Sequence, residues 1–383
     1  MKSLVFAALL FTACNKENPI STAPADDVCV QKRAIADGSI IPDQYIIAYN
    51  STINTDNTGS RPIAEIGVSM LKRNGINSSS LKHSFSGKPG GFVAKLSKSE
   101  VELLKKDKDI ALIEPDRMIA LSTCFSIAAP RLITWNVLRT GYGDGTGKTA
   151  WVIDTGIDFD HPDLTVDAAR SKSFISGQTS ANDDNGHGTH VAGIIGAKNN
   201  TIGILGVASG ASLVALKVLA ANGEGPVSGI IQALAYVNAN AKAGDVVNMS
   251  LGEDGVSEIL NQQVKNTASR GILIAISAGN DGKAANAFSP ANTNGINIYT
   301  VSAVDSLDNF AKFSNYGNDV VDYAEPGVNI LSTWSNGRYA TASGTSMAAP
   351  HLAGLLLLNG RNIYTVGSAK NDPDGVSDPI AHK

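Results

Sequence analysis

The 383-residue chain is 43% hydrophobic, 17% charged and 6% aromatic, which excludes a disordered or solvating polypeptide and suits two domains, or one large one, around a sizeable core. With 31 Lys and Arg against 35 Asp and Glu the net charge is −4, so no basic field draws the chain to nucleic acid or anionic lipid. Its 38 glycines imply many tight turns, without a collagen-like or solenoid period.

Residues 1–14 form the one membrane-directed segment. Lys2 is followed by the apolar run Leu4 to Phe11, far short of the ~20 residues that cross a bilayer, and then by small Thr12 and Ala13. Cys14 and the polar Asn15-Lys16-Glu17-Asn18 complete an arrangement that resembles a bacterial lipoprotein signal, in which the Cys becomes the lipidated first residue. The plainer reading is an ordinary secretory signal. Both export the chain, to the cell envelope by the lipid or to the outside after processing. Cys29 and Cys124 then sit in a disulfide-permissive compartment, and a bridge between them stays open.

Residues 15–42 are polar, hold Pro19, Pro24 and Asp26-Asp27, and read as a linker. A small α+β unit follows over 43–121. Gln44 to Asn50 and the alternating Gly91 to Leu96 are strands, Arg61 to Arg73 has helical spacing, and Ile110 to Glu114 is a closing strand. Ser97 and Glu100 form a capping box before Val101, Leu103 and Leu104. This strand-helix-strand order is that of ferredoxin-like folds, and the unit carries no paired carboxylates and no Cys/His cluster.

In the 122–383 unit the pattern becomes short apolar strands between helices. Ala150 to Ile153, Ser212 to Leu219, Asp245 to Asn248, Ile272 to Ile276 and Ile298 to Ala303 read as strands buried on both faces. Val191 to Gly196, Val227 to Lys242 and Glu258 to Arg270 read as helices. The fold class is therefore α/β, an open, mostly parallel sheet with helices on both faces, and sites in such sheets form at the carboxyl ends of strands.

Three motifs occupy such places. Asp154 ends the Trp151 strand and precedes Gly156; taken alone it is as well suited to capping a helix. His187 lies in Asn185-Gly186-His187-Gly188-Thr189-His190 at the mouth of a helix. His187 and His190 could share a metal, but no third Cys/His partner is near and the i, i+4 spacing of zincins is absent. Ser346, in Gly344-Thr345-Ser346-Met347-Ala348-Ala349-Pro350, opens the apolar helix Leu352 to Leu358, with Pro350 expected in the first turn, where backbone N–H groups have no partners.

In the chain order Asp, His, Ser, these motifs resemble those of the subtilisin-like serine peptidases, the subtilases, over about 130–358, with general similarity nearest the proteinase K branch. The 43–121 unit, through its QYIIAY, GFVAKL and ALIEPD segments, resembles the subtilase propeptide. The resemblance implies a serine endopeptidase in which Ser346 is the nucleophile, His187 its base and Asp154 the carboxylate on the far ring nitrogen, passing through an acyl-enzyme. Asn280, in Ser277-Ala278-Gly279-Asn280, matches the family's oxyanion-hole residue. Ser250-Leu251-Gly252 resembles the edge segment that adds to an extended substrate and forms one wall of the S1 pocket, with Ala278 and Gly279 opposite. Small walls imply apolar or aromatic P1 residues, while Glu253-Asp254 just beyond could favour basic ones.

The implied partners are protein or peptide substrates and the chain's own propeptide as intramolecular inhibitor. The enzyme is expected to be a monomer, to touch membrane only through a lipid on Cys14, and to need no cofactor for catalysis. Structural calcium is known in the family, but Asp158-Asp160 and Asp183-Asp184 form no recognisable loop and no ligands are assigned. Gly143 to Thr149 looks like a phosphate loop, yet Tyr142 replaces its first glycine and a strand follows where a helix should. The alternative to an enzyme is a binding protein that keeps this fold without the reaction.

Overall fold

The computed structural model describes residues 38–53, 55, 63–120, 124–127 and 133–383, with the backbone alone for 124–127. The lipidation reading on Cys14 and the Cys29–Cys124 pairing fall outside these residues.

The first unit consists of β1 (Ile40–Tyr49), α1 (Ile63–Arg73), β2 (Leu81–Phe85), β3 (Gly91–Lys95), α2 (Lys98–Leu104) and β4 (Ile110–Ala120). Its strands run antiparallel in the order β4-β1-β3-β2, the ferredoxin-like arrangement. The capping box forms: Glu100 N donates to Ser97 Oγ at 3.3 Å and Ser97 N to Glu100 Oε2 at 2.7 Å. The period-2 alternation divides this sheet between two cores. Ile47, Tyr49, Phe92 and Ala94 pack with Met70, Leu71, Val101 and Leu104 of its own helices. Ile46, Ala48, Phe85 and Val93 join the core of the second unit.

The second unit contains β5 (Cys124–Ile127), α3 (Trp135–Thr140), β6 (Thr149–Asp154), β7 (Lys172–Ser173), α4 (His187–Gly196), β8 (Ser212–Lys217), β9 (Glu224–Pro226) and α5 (Val227–Asn240). It continues through β10 (Val246–Met249), α6 (Glu258–Ala268), β11 (Leu273–Ser277), β12 (Ile298–Val304), β13 (Tyr323–Pro326), β14 (Ile330–Trp334), β15 (Arg338–Ser343), α7 (Thr345–Asn359), β16 (Tyr364–Ser368) and β17 (Pro379–His382). One open sheet takes the order β16-β17-β13-β12-β11-β10-β6-β8-β7, parallel except at its β16–β17 edge. Alternate residues serve alternate faces: Ala150 and Val152 pack under α4 and α7, while Trp151 and Ile153 pack under α5 and α6. The α/β architecture with helices on both faces is thus present. Among the described residues no helix is long and apolar enough to cross a membrane.

The first unit docks on α5 and α6 through polar groups as well as through the shared core. Asp116 Oδ1 accepts from Ser228 N at 3.2 Å at the start of α5, and Glu114 accepts from the hydroxyl of Ser257, the cap of α6. Both carboxylates meet the partial positive charge of a helix start. Burial pushes both carboxyls up, and these donors pull against it.

Asp378, before β17, is 3% exposed and accepts from Ser302 Oγ at 2.6 Å. Burial, helped by Asp372, Asp374 and Asp322, raises it to about 7. A carboxyl raised on folding adds stability below ~4, its unfolded value, and loses it as pH rises through the folded value. Asp378→Asn lacks that loss, so its urea midpoint relative to the parent protein should climb between about pH 4 and about pH 7. A difference that stays level across this range would remove the assignment.

Candidate active site

The parallel sheet ends at one rim, and the three motif residues arrive there from different elements. Asp154 is the last residue of β6 and wholly buried. His187 is the first residue of α4, 2% exposed. Its Nδ1 donates to Asp154 Oδ1 at 2.7 Å, and the same oxygen accepts from Thr155 N at 2.7 Å. His187 Nε2 is buried with no hydrogen-bond partner among the described residues. Ser346 is the second residue of α7, 4% exposed, and its Oγ donates to Ser250 O at 3.3 Å.

What holds the histidine turn in place was not visible in the motif. Asp183 Oδ1 accepts from Thr155 Oγ1 at 2.9 Å, Asn185 N at 3.0 Å and Gly186 N at 2.9 Å, and Oδ2 from Thr189 N at 3.0 Å and Thr189 Oγ1 at 2.6 Å. Burial pushes this carboxyl up, against the pull of those donors. One buried carboxylate thereby fastens the residue after Asp154 to the backbone on both sides of His187. Gly188 N also donates to Thr155 Oγ1 at 2.9 Å, and a Cβ at Gly188 would lie 2.1 Å from Gly156 O, so the close approach of α4 to the β6 end requires glycine. Lys217, fully buried at the end of β8, donates to Thr155 O at 2.6 Å, Leu219 O at 2.8 Å and Asp184 Oδ1 at 2.6 Å, which uses all three ammonium protons.

His190 faces elsewhere. Its Nε2 donates to Ile330 O at 3.0 Å and Ala340 O at 3.1 Å, and burial, then the charge of His187, lower it to about 3. The two histidines do not converge on a common ligand. Among the described residues no group of three or more His, Cys, Asp or Glu is placed to hold a metal ion. Asp158 accepts from Asp160 N and Gly337 N, and Asp184 is taken by Lys217.

Asn280 follows β11, and its Oδ1 accepts from Thr345 N at 2.8 Å and Thr345 Oγ1 at 2.9 Å, which brings it to the first turn of α7 beside Ser346. Ala278 is fully buried. Gly279 has φ +105°, and a Cβ there would lie 2.3 Å from Asn315 Nδ2, so no larger residue fits this wall.

One expectation needs correction. Pro350 is not in the first turn, because α7 starts at Thr345 and Pro350 is its sixth residue. The missing N–H leaves Ser346 O without its helical donor, and Ser250 Oγ supplies one at 2.8 Å. The proline is tolerated because a residue from outside the helix satisfies the carbonyl it frees. The antiparallel ladder that receives β4 is made by β9, with Glu224 opposite Ala120, Gly225 opposite Ile119 and Pro226 opposite Met118. Ser250 O accepts from Ser346 Oγ at 3.3 Å, so the Ser250–Gly252 segment starts directly beside Ser346. Sequence reasoning missed β9 because Glu-Gly-Pro carries no strand signal. Of the acidic pair beyond it, Glu253 is fully buried, and Asp254 Oδ2 lies 3.8 Å from Lys283 Nζ.

Residues 145–367 match the subtilase family, and residues 44–122 match peptidase inhibitor I9. The chain is a member of the subtilase family. It is 37% identical over 334 residues to the subtilisin-like serine protease AsES of Sarocladium strictum, covering 83% of this chain and 79% of that protein. It is 38% identical over 323 residues to the M-protease of Shouchella clausii, covering 82% and 80%. The crystal structure of a cold adapted subtilisin-like serine proteinase aligns with a TM-score of 0.58 at 33% identity, over 66% of this chain and 98% of that one. This subtilase is accordingly a serine endopeptidase that carries its inhibitor domain in the same chain, seated on α5, α6 and β9.

Proposed function

We propose that the subtilase cleaves peptide bonds with Ser346 as nucleophile, His187 as the base that takes its proton and returns it to the leaving amine, and Asp154 as the carboxylate that fixes the ring and stabilises the imidazolium. The observation that carries this reading is the buried His187–Asp154 hydrogen bond of 2.7 Å, with Nε2 open on the other side of the ring. Attack of Ser346 Oγ on the carbonyl carbon gives an oxyanion, the amine then leaves with the proton from His187, and water releases the acyl group by the same steps. Thr345 occupies the amide oxygen of Asn280, which makes Nδ2 the end turned to the oxyanion, together with the Ser346 N–H. Asn280→Ala should lower kcat by ~10²–10³ with KM almost unchanged, a magnitude carried over from other members of this family. A change in KM alone would reassign Asn280 to substrate binding.

The small walls at Ala278, Gly279 and Ser250–Gly252 support apolar or aromatic residues before the scissile bond. Ala120 lies opposite Glu224 on β9 and Cys124 lies opposite Ser343, three positions before Ser346, on β15, which supports β9 as a strand that holds extended substrate and a cut between Ala120 and Cys124. The subtilase is proposed to cut itself there and so divide the chain into the 43–121 propeptide and the 122–383 catalytic unit. Residues 1–14 support export with a lipid on Cys14, in which case the cut frees a monomeric catalytic unit unless a Cys29–Cys124 bridge retains it. Washing membranes with and without reductant separates those outcomes.

The reading is tested with a fluorophosphonate probe that labels activated serines. The processed enzyme should be labelled at Ser346 and nowhere else by peptide mass spectrometry, and the label should vanish in His187→Ala. Labelling that persists without His187, or falls on another serine, sinks the assignment.

A further inference from the structure

The strand that receives β4 carries a charged residue that the mechanism does not use. Directly opposed residues of an antiparallel pair project their side chains to one face, with Cβ atoms ~4.5–5.5 Å apart. Ile119, opposite Gly225, turns inward, 1% exposed, into the core around α5 and α6. Its neighbour Ala120 turns the other way, to the face of Glu224. Ala120 ends at its first side-chain carbon, so its side chain brings no charge to Glu224.

Glu224 is nonetheless built in. It is 7% exposed, its Oε2 accepts from Asn222 Nδ2 at 2.8 Å, and Asn222 Oδ1 accepts from Glu224 N at 3.2 Å. Among the described residues it makes no ion pair with Lys or Arg. A carboxylate so covered is stabilised by a cation that reaches it, and a charge-assisted hydrogen bond from an ammonium or guanidinium group is the strongest contact it can make. A lysine or arginine in the place of Ala120 has a stem long enough to bring its charge to that carboxylate.

We propose that Glu224 selects a basic side chain in the substrate residue that pairs with it on β9. This rests on the reading of β9 as the strand that holds substrate, and adds to the apolar preference before the scissile bond a second, charge-based one further upstream. Ala120 cannot make this contact, so a polypeptide with Lys or Arg at that place competes the better for the groove.

The test uses peptides of the chain's own sequence over residues 116–127 with Ala120 kept or replaced by Lys, Met or Glu, cleaved by the processed enzyme and by its Glu224→Gln variant. Cut positions are read by mass spectrometry and rates as kcat/KM. In the wild type the Lys peptide should exceed the equally long Met peptide by about 5-fold and the Glu peptide should fall below it, with the spread shrinking as salt is raised. In Glu224→Gln the Lys-to-Met ratio should fall to about 1. Equal rates for Lys and Met in the wild type overturn the proposal, and so does a Lys preference that survives in Glu224→Gln. If the wild type cuts none of the four while still hydrolysing a denatured protein, the placement of substrate on β9 has failed, and Glu224 with it.

Discussion

Ser346→Ala should accumulate as a full-length, folded and inactive precursor, with peptidase activity lower by on the order of 10⁶. Ser346 is 4% exposed and its hydroxyl donates one 3.3 Å hydrogen bond to Ser250 O, so the loss to folding is small and the loss to chemistry is nearly complete. The same substitution reports on the origin of the cut. Ala120 is paired to β9 and Cys124 to β15. If Ser346 makes that cut, the variant expressed in a protease-deficient host keeps residues 43–383 in one piece. Normal processing there would mean that another enzyme does it.

The second large effect is expected for Asp154→Asn, with kcat lower by ~10⁴, a size seen for the same exchange in other catalytic triads. The geometry says where the loss comes from. A single oxygen, Oδ1, accepts both from His187 Nδ1 and from Thr155 N, whereas the NH₂ that Asn brings can only donate and, turned to Nδ1, holds the ring in the tautomer that cannot take the Ser346 proton. The negative charge that stabilises the imidazolium disappears as well. KM should therefore change little. Because the three residues act as a unit, Asp154→Asn combined with Ser346→Ala should be no worse than Ser346→Ala alone. Single-turnover rates that fall additively would mean that the two residues serve different steps.

Much of this arrangement could be read before any coordinates, for a physical reason. Strands buried on both faces must be apolar, so β6, β8, β10, β11 and β12 stand out as short runs of Val, Ile and Ala, and residues that follow such strands fall at the rim where sites form. The capping box at Ser97 was equally plain, because donor and acceptor lie three residues apart in one segment. What escaped notice depends on partners distant in the chain. β9 has no strand-forming residues and is a strand through its ladder to β4. Pro350 looks like a helix start until Ser250, 96 residues before Ser346, supplies the missing donor. Asp183 reads as one of two aspartates in a loop; four of its five donors lie within six residues of it, and the fifth, Thr155, 28 residues earlier, is brought to it by the fold. β2, Leu81–Phe85, was missed because a half-exposed outer strand has no apolar run.

A three-residue edge of Glu, Gly and Pro has little to hold it straight apart from what lies along it, and in the precursor that role falls to β4. Once the propeptide has left, the groove is a sheet short of one strand, and each substrate must supply it by surrendering a stretch of its own backbone. A folded protein cannot do so while its N–H and C=O groups are engaged at home; it must first open locally, and the free energy of that opening is charged against the rate of cutting. Proteins with loose loops and frayed ends are therefore consumed first and compact ones last. The same rule shields the catalytic unit from its own kind, since its central strands β6, β8, β10, β11, β12 and β13 are each paired on both sides.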